Sequence, residues 1–137
     1  MSYNQTKIDI VEFFETQLRL TEATIKVIYD NLGEEVQTDS EYIRFSVNPL
    51  ASSQIEAGAS ANFRFEGILF IQILTKTNQG EGRINSLVDT CTDIFRRKVT
   101  EGIRFRGETT RNINTNANKW YQKNISVPFE RDNIYTI

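Results

Sequence analysis

FRFEGILFIQILTKTNQGEGRINSLVDTCTDIFRRK, residues 63 to 98, reads as strand, turn and helix in one run. Strand side chains alternate, so Phe63, Phe65, Leu69, Ile71 and Ile73 share one side while Ile68, Phe70 and Leu74 share the other. A half-exposed strand would alternate with polar residues; this one predicts cover on both faces. Ile84, Leu87, Val88, Cys91, Ile94 and Phe95 then recur at steps of three and four, one face of a helix expected over residues 81 to 98. The unit builds a core and carries no nucleophile, base or ligand pair at catalytic spacing.

Composition sets the class around that unit. The 137 residues suit one domain, residues 1–137, and 39% hydrophobic with 11% aromatic content supports a core. A formal charge of −2 lacks the basic excess of a general nucleic-acid binder. Cys91 is the single cysteine, so no intrachain disulfide exists and a reducing cytoplasm is expected. The longest apolar run, near residues 68 to 74, is too short to span a bilayer, and no membrane partner is expected. Histidine is absent, which removes the commonest base near neutral pH, any Ser-His or Cys-His nucleophile and any His-containing zinc site. The expectation is a protein without catalytic residues, cofactor or metal.

Outward from the central unit, Lys7 to Leu20 reads as a helix. Thr6 and Asp9 are spaced as a capping box, Ile8, Val11, Phe14 and Leu18 form the inner stripe, and Ile10 and Phe13 widen it. Ile25 to Tyr29 reads as a short strand, with a loop from Gly33 to Ser40. Glu41 to Asn48 alternates with Ile43, Phe45 and Val47 inward, and Pro49 should stop it. Residues 50–62 read as a long hairpin loop with Ile55 its bulky apolar member. Arg96, Arg97 and Lys98 would offset the dipole at the helix end or form a partner patch. Ile103 and Phe105 face in and Arg104 and Arg106 out; 110–118 reads as a loop, Trp120 to Phe129 as a closing strand, and 130–137 as a C-terminal tail.

The expected fold is α+β: one mixed or antiparallel sheet of about five strands with two helices packed on it, in the order α-β-β-β-α-β-β. Ile68, Phe70 and Leu74 would then need cover from a folded-back hairpin or another subunit. Gly80-Glu81-Gly82 invites a dinucleotide-binding reading, but Asn85 stands at the third fingerprint position and five residues separate strand from turn. Trp120 beside Lys119 and Lys123 fits base stacking less well than a protein interface, and Cys91 reads as a small core residue.

VIYDN (27–31), YIRFSVNPL (42–50), FEGILFIQILTKTNQGEGR (65–83) with its helix, and WYQKNISVPFERD (120–132), in that order and spacing, resemble the tail-terminator proteins of long-tailed bacteriophages, the group similar to the lambda-type tail terminator. The resemblance implies a virion structural protein at the tail–head junction, assembled in the bacterial host cytoplasm. It implies a hexameric ring of copies of itself that ends tail-tube polymerisation and offers a docking surface to the head-tail connector or neck. A neck or head-completion protein, and a non-phage protein-binding or regulatory domain, remain open beside it. Ile55, Arg104, Arg106, Arg111 and Trp120 are the candidate interface residues; the arginines are expected to meet acidic groups on a neighbouring subunit or ring.

Overall fold

The structure, a computed structural model, describes residues 3–29, 41–54, 60–76, 80–96, 99–100, 102–113 and 120–136. The expected loop from Gly33 to Ser40, Ile55, Arg97 and Lys98 lie outside the described residues, as does the later part of the expected 110–118 loop. In chain order the elements are α1 (Tyr3–Thr21), β1 (Lys26–Tyr29), β2 (Tyr42–Gln54), β3 (Ser60–Lys76), α2 (Glu81–Phe95), β4 (Val99–Thr100), β5 (Ile103–Phe105), β6 (Thr109–Ile113) and β7 (Trp120–Thr136). The chain is α+β, with one mixed sheet running β1-β2-β3-β7-β5-β4 and β6 paired on β7. Among the described strands only the β1–β2 pair is parallel, and the other ladders are antiparallel.

Both helices lie on the face formed by Ile43, Phe45, Val47, Leu69, Ile71, Ile73, Ile125, Val127 and Phe129, all buried in one core. From α1 come Ile10, Phe14 and Leu18, and from α2 come Ile84, Leu87, Cys91, Ile94 and Phe95. Aromatic rings join the layers. Phe14 stacks on Phe45 at 4.3 Å between centroids, and Phe95 meets Phe105 at 4.8 Å, so α1, β2, α2 and β5 share one cluster. Cys91 is fully buried in this core as a small packing residue, and that burial pushes its thiol up to about 12, which keeps it protonated.

Several boundaries differ from the sequence reading. The β2 strand continues through Pro49 to Gln54, because a register shift between Pro49 and Ala51 accommodates the residue that cannot donate. The start of the expected 110–118 loop is strand β6, whose polar residues are tolerated because β6 is an exposed edge. The expected tail at 130–137 is instead the second half of β7 as far as Thr136, paired with β3 from Ser60 to Glu66. Helix α2 stops at Phe95 rather than 98: Arg96 turns to an extended backbone while its N–H still donates to the Thr92 carbonyl at 3.0 Å. Gly80, at φ 73, supplies the turn before α2.

Helix α1 begins at Tyr3, so Thr6 and Asp9 are inside it and form no capping box. Their side chains hold Arg131 instead, with Nη1 donating to Asp9 Oδ2 at 2.8 Å and to Thr6 Oγ1 at 3.4 Å. Arg131 is 1% exposed and stands on the core face of β7. Ile8, expected in the core stripe, is 42% exposed; the buried line is Ile10, Phe14 and Leu18. Gly67 on β3 leaves room for the Phe129 ring, since a Cβ there would meet that ring at 2.5 Å and the Asn48 carbonyl at 2.6 Å.

Two outcomes follow from this packing. Gly67→Ala should lower unfolding free energy by about 1–3 kcal/mol in a denaturant titration, with Phe129→Leu restoring only part because the Asn48 carbonyl stays in the way. Arg131→Met should cost about 3–5 kcal/mol by leaving the Asp9 carboxylate without its cation, and adding Asp9→Asn should recover much of that loss.

Candidate functional site

The sheet has a second face with no described helix on it, and the remaining unusual side chains gather there. Alternation from the buried residues puts Tyr42, Arg44 and Ser46 of β2, Ile68, Phe70, Gln72 and Leu74 of β3, and Gln122, Asn124 and Ser126 of β7 on this side. Phe70, paired with Ser46 and Ser126, is 37% exposed, while Ile68 and Leu74 are half-buried. The second apolar row read from the sequence therefore exists and faces outward.

At one end of this face an ionic lattice crosses three strands. Arg104 donates from Nε to Glu130 Oε1 at 3.0 Å and from Nη2 to Asp132 Oδ2 at 3.0 Å. Arg64 reaches Asp132 Oδ1 at 2.9 Å and Arg106 reaches Glu130 Oε1 at 2.5 Å. Burial alone would raise the Glu130 carboxyl, but the hydrogen bond from Arg104 and the charges of Arg104, Arg64 and Arg106 outweigh it and hold it below the usual range. For Asp132 the hydrogen bond from Arg64 leads, burial opposes it, and the Arg104 bond adds to the same lowering. Glu130 is 5% exposed while the arginines around it keep much of their surface in solvent, so the lattice is a buried carboxylate roofed by solvated cations.

The opposite end is closed by Trp120. Its ring meets Tyr42 edge-on at 5.8 Å, and Lys76 Nζ stands 5.8 Å over it. On the helix side, Arg83 bridges Glu22 and Glu41, with Nη1–Glu22 Oε1 at 2.8 Å and Nε–Glu41 Oε2 at 2.8 Å, locking the end of α1 to the start of β2. A cleft of about 270 Å³ lies between the start of α2 and strands β6 and β7, lined by Glu81, Ile84, Asn112, Ile113, Tyr121 and Lys123 among others. The Lys123 ammonium there is tied to Asn85 Oδ1 at 2.6 Å.

The candidate interface residues separate under this geometry. Arg104 and Arg106 find their acidic partners within the chain, in Glu130 and Asp132. Trp120 is half-buried on a strand flanked by β3, and part of its ring is taken up by Tyr42. Arg111 is exposed on β6 opposite Asn124 and forms no ion pair with a described residue. Ile55 lies outside the described residues. The lattice partners Arg64, Glu130 and Asp132 were missed because 130–132 reads as tail. The signal was the matched period of two: Arg104 on β5 with Arg106 just past its end, and Glu130 and Asp132 on β7.

No family model and no curated protein matches the chain. A solved structure known only by a serial designation is similar over 95% of this chain and 95% of its own, with a TM-score of 0.70 at 12% identity. That likeness establishes the fold as one that recurs at very low sequence identity. Among the described residues no helix is long and apolar enough to cross a membrane, and no cluster of three His, Cys, Asp or Glu side chains stands ready for a metal ion.

The lattice makes stability depend on acid. Glu130 and Asp132 titrate lower folded than unfolded, so their contribution is complete above their unfolded values near 4 and is lost as pH falls through the folded ones. Glu130→Gln should therefore flatten the acid limb of a stability-against-pH curve between about pH 5 and pH 3, measured by thermal unfolding.

Proposed function

We propose that this chain is a tail terminator of a long-tailed bacteriophage: a non-catalytic virion protein that forms a ring on the head-proximal end of the tail tube, ends tube growth and receives the neck. The observation that carries the reading is the resemblance of YIRFSVNPL, FEGILFIQILTKTNQGEGR and WYQKNISVPFERD, in order and spacing, to that family. The architecture is compatible with it, since the resemblance implies a sheet backed by helices and the described helices α1 and α2 both pack on one face of the sheet. A ring of identical copies needs a heterologous contact, one patch meeting a different patch on the next copy. The outward row at Phe70 is a surface of the kind such contacts use. On this reading the partners are copies of the chain, the tube subunit and the neck protein, and the site of action is the tail–head junction.

Electron microscopy of tails assembled with and without this chain tests the proposal. Termination predicts tubes of uniform length in its presence and overlong tubes in its absence. Tails of normal length that fail to join heads would overturn termination in favour of a neck role.

A further inference from the structure

The described surface carries four large exposed hydrophobic side chains: Ile8 at 42%, Leu20 at 78%, Leu50 at 65% and Phe70 at 37%. Two of them belong to one ridge. Ile8, Glu12, Thr16 and Leu20 follow one another at four-residue steps along α1, and all four are exposed on the side away from Ile10, Phe14 and Leu18. Apolar ends with a single carboxylate between them are not what a solvated helix face requires. The ridge spans about 18 Å at 1.5 Å per residue.

The open sheet face carries its counterpart. Ile68, Phe70 and Leu74 run along β3 over about 20 Å, close to the length of the helical ridge. Arg44, Gln72, Asn124 and Arg111 form one cross-strand row beside Phe70, which puts the two arginine backbones about 14 Å apart across three strand spacings. Neither arginine forms an ion pair with a described residue, and Lys26 on β1 is likewise exposed on this side. The open face thus presents an apolar row flanked by unpaired cations, and α1 presents an apolar ridge with an exposed carboxylate at Glu12. Ser46 and Ser126 beside Phe70 are small enough to let a helix approach.

We propose that the Ile8–Leu20 ridge of one copy seats on the open β3 face of the next, with Glu12 between Arg44 and Arg111. The two patches lie on opposite sides of the sheet, so the contact is heterologous and propagates from copy to copy. This rests on the ring reading and names the surfaces that would build it. A helix is also the usual cover for an open sheet face, and both described helices are committed to the other side.

Two variants test the contact in solution: Phe70→Asp on the sheet, and Ile8→Ser with Leu20→Lys on the helix. All three positions are exposed, and circular dichroism checks that each variant folds. The parent should self-associate with concentration in sedimentation velocity, and each variant alone should associate at least about tenfold more weakly. Mixed together, the two variants should form a 1:1 heterodimer that grows no further, because each supplies the patch the other lacks. A parent that stays monomeric at millimolar concentration, variants that associate as tightly as the parent, or a mixture that gives no heterodimer overturns the contact. The tube-length measurement keeps this separate from the ring reading. Tubes ended normally by Phe70→Asp would leave termination standing and remove only the docking surface.

Discussion

Stacking of Phe14 on Phe45 and Phe95 commits both helices to one face of the sheet, and most of the remaining structure follows from that commitment. Once those rings are joined, Leu69, Ile71 and Ile73 are sealed, and Ile68, Phe70 and Leu74 must face the other way because strand side chains alternate. Both described helices, α1 and α2, lie on that one side. The outward apolar row is the geometric consequence of a doubly apolar strand whose described helices both lie on one face.

Charge placement follows the same division. On the helix side, carboxylates are tied down: Glu15 by Tyr29 and Arg19, Glu22 and Glu41 by Arg83, Asp9 by the buried Arg131. The sheet side keeps a paired lattice at one end, and across its middle Arg44 and Arg111 form no ion pair with a described residue. The lattice spans β3, β5 and β7, so its worth is in holding three strands in register more than in any single pair. It also removes Arg104 and Arg106 from the list of cations free to meet a partner, which shifts attention to Arg44 and Arg111.

How far the site was legible can be judged from particular residues. The outward row at Ile68, Phe70 and Leu74 and the inward row at Leu69, Ile71 and Ile73 were readable because period-two alternation is a local property. The outward side of Arg104 and Arg106 is readable from the same alternation, but their partners are not, since Glu130 and Asp132 lie about 26 residues away and meet them through the β5–β7 ladder. Thr6 and Asp9 looked like a local cap; their real partner, Arg131, is 122 residues beyond Asp9. Pro49 looked like a stop, and a bulge made it passable.

The sequence by itself determined α1, α2 and the central stretches of β1, β2, β3, β5 and β7, the α+β class, the inner faces of α2 and the long strand, and the absence of histidine chemistry. These depend on periodicity and composition, which act over a few residues. Only the tertiary structure decided that residues 130–136 extend β7 instead of trailing as a tail, that Arg131 is buried against α1, and that Ile8 and Leu20 stand outside on one ridge. Those outcomes turn on which strands pair and which side of a helix meets the sheet. Both are set by long-range packing, where burying one face of an element necessarily exposes the other.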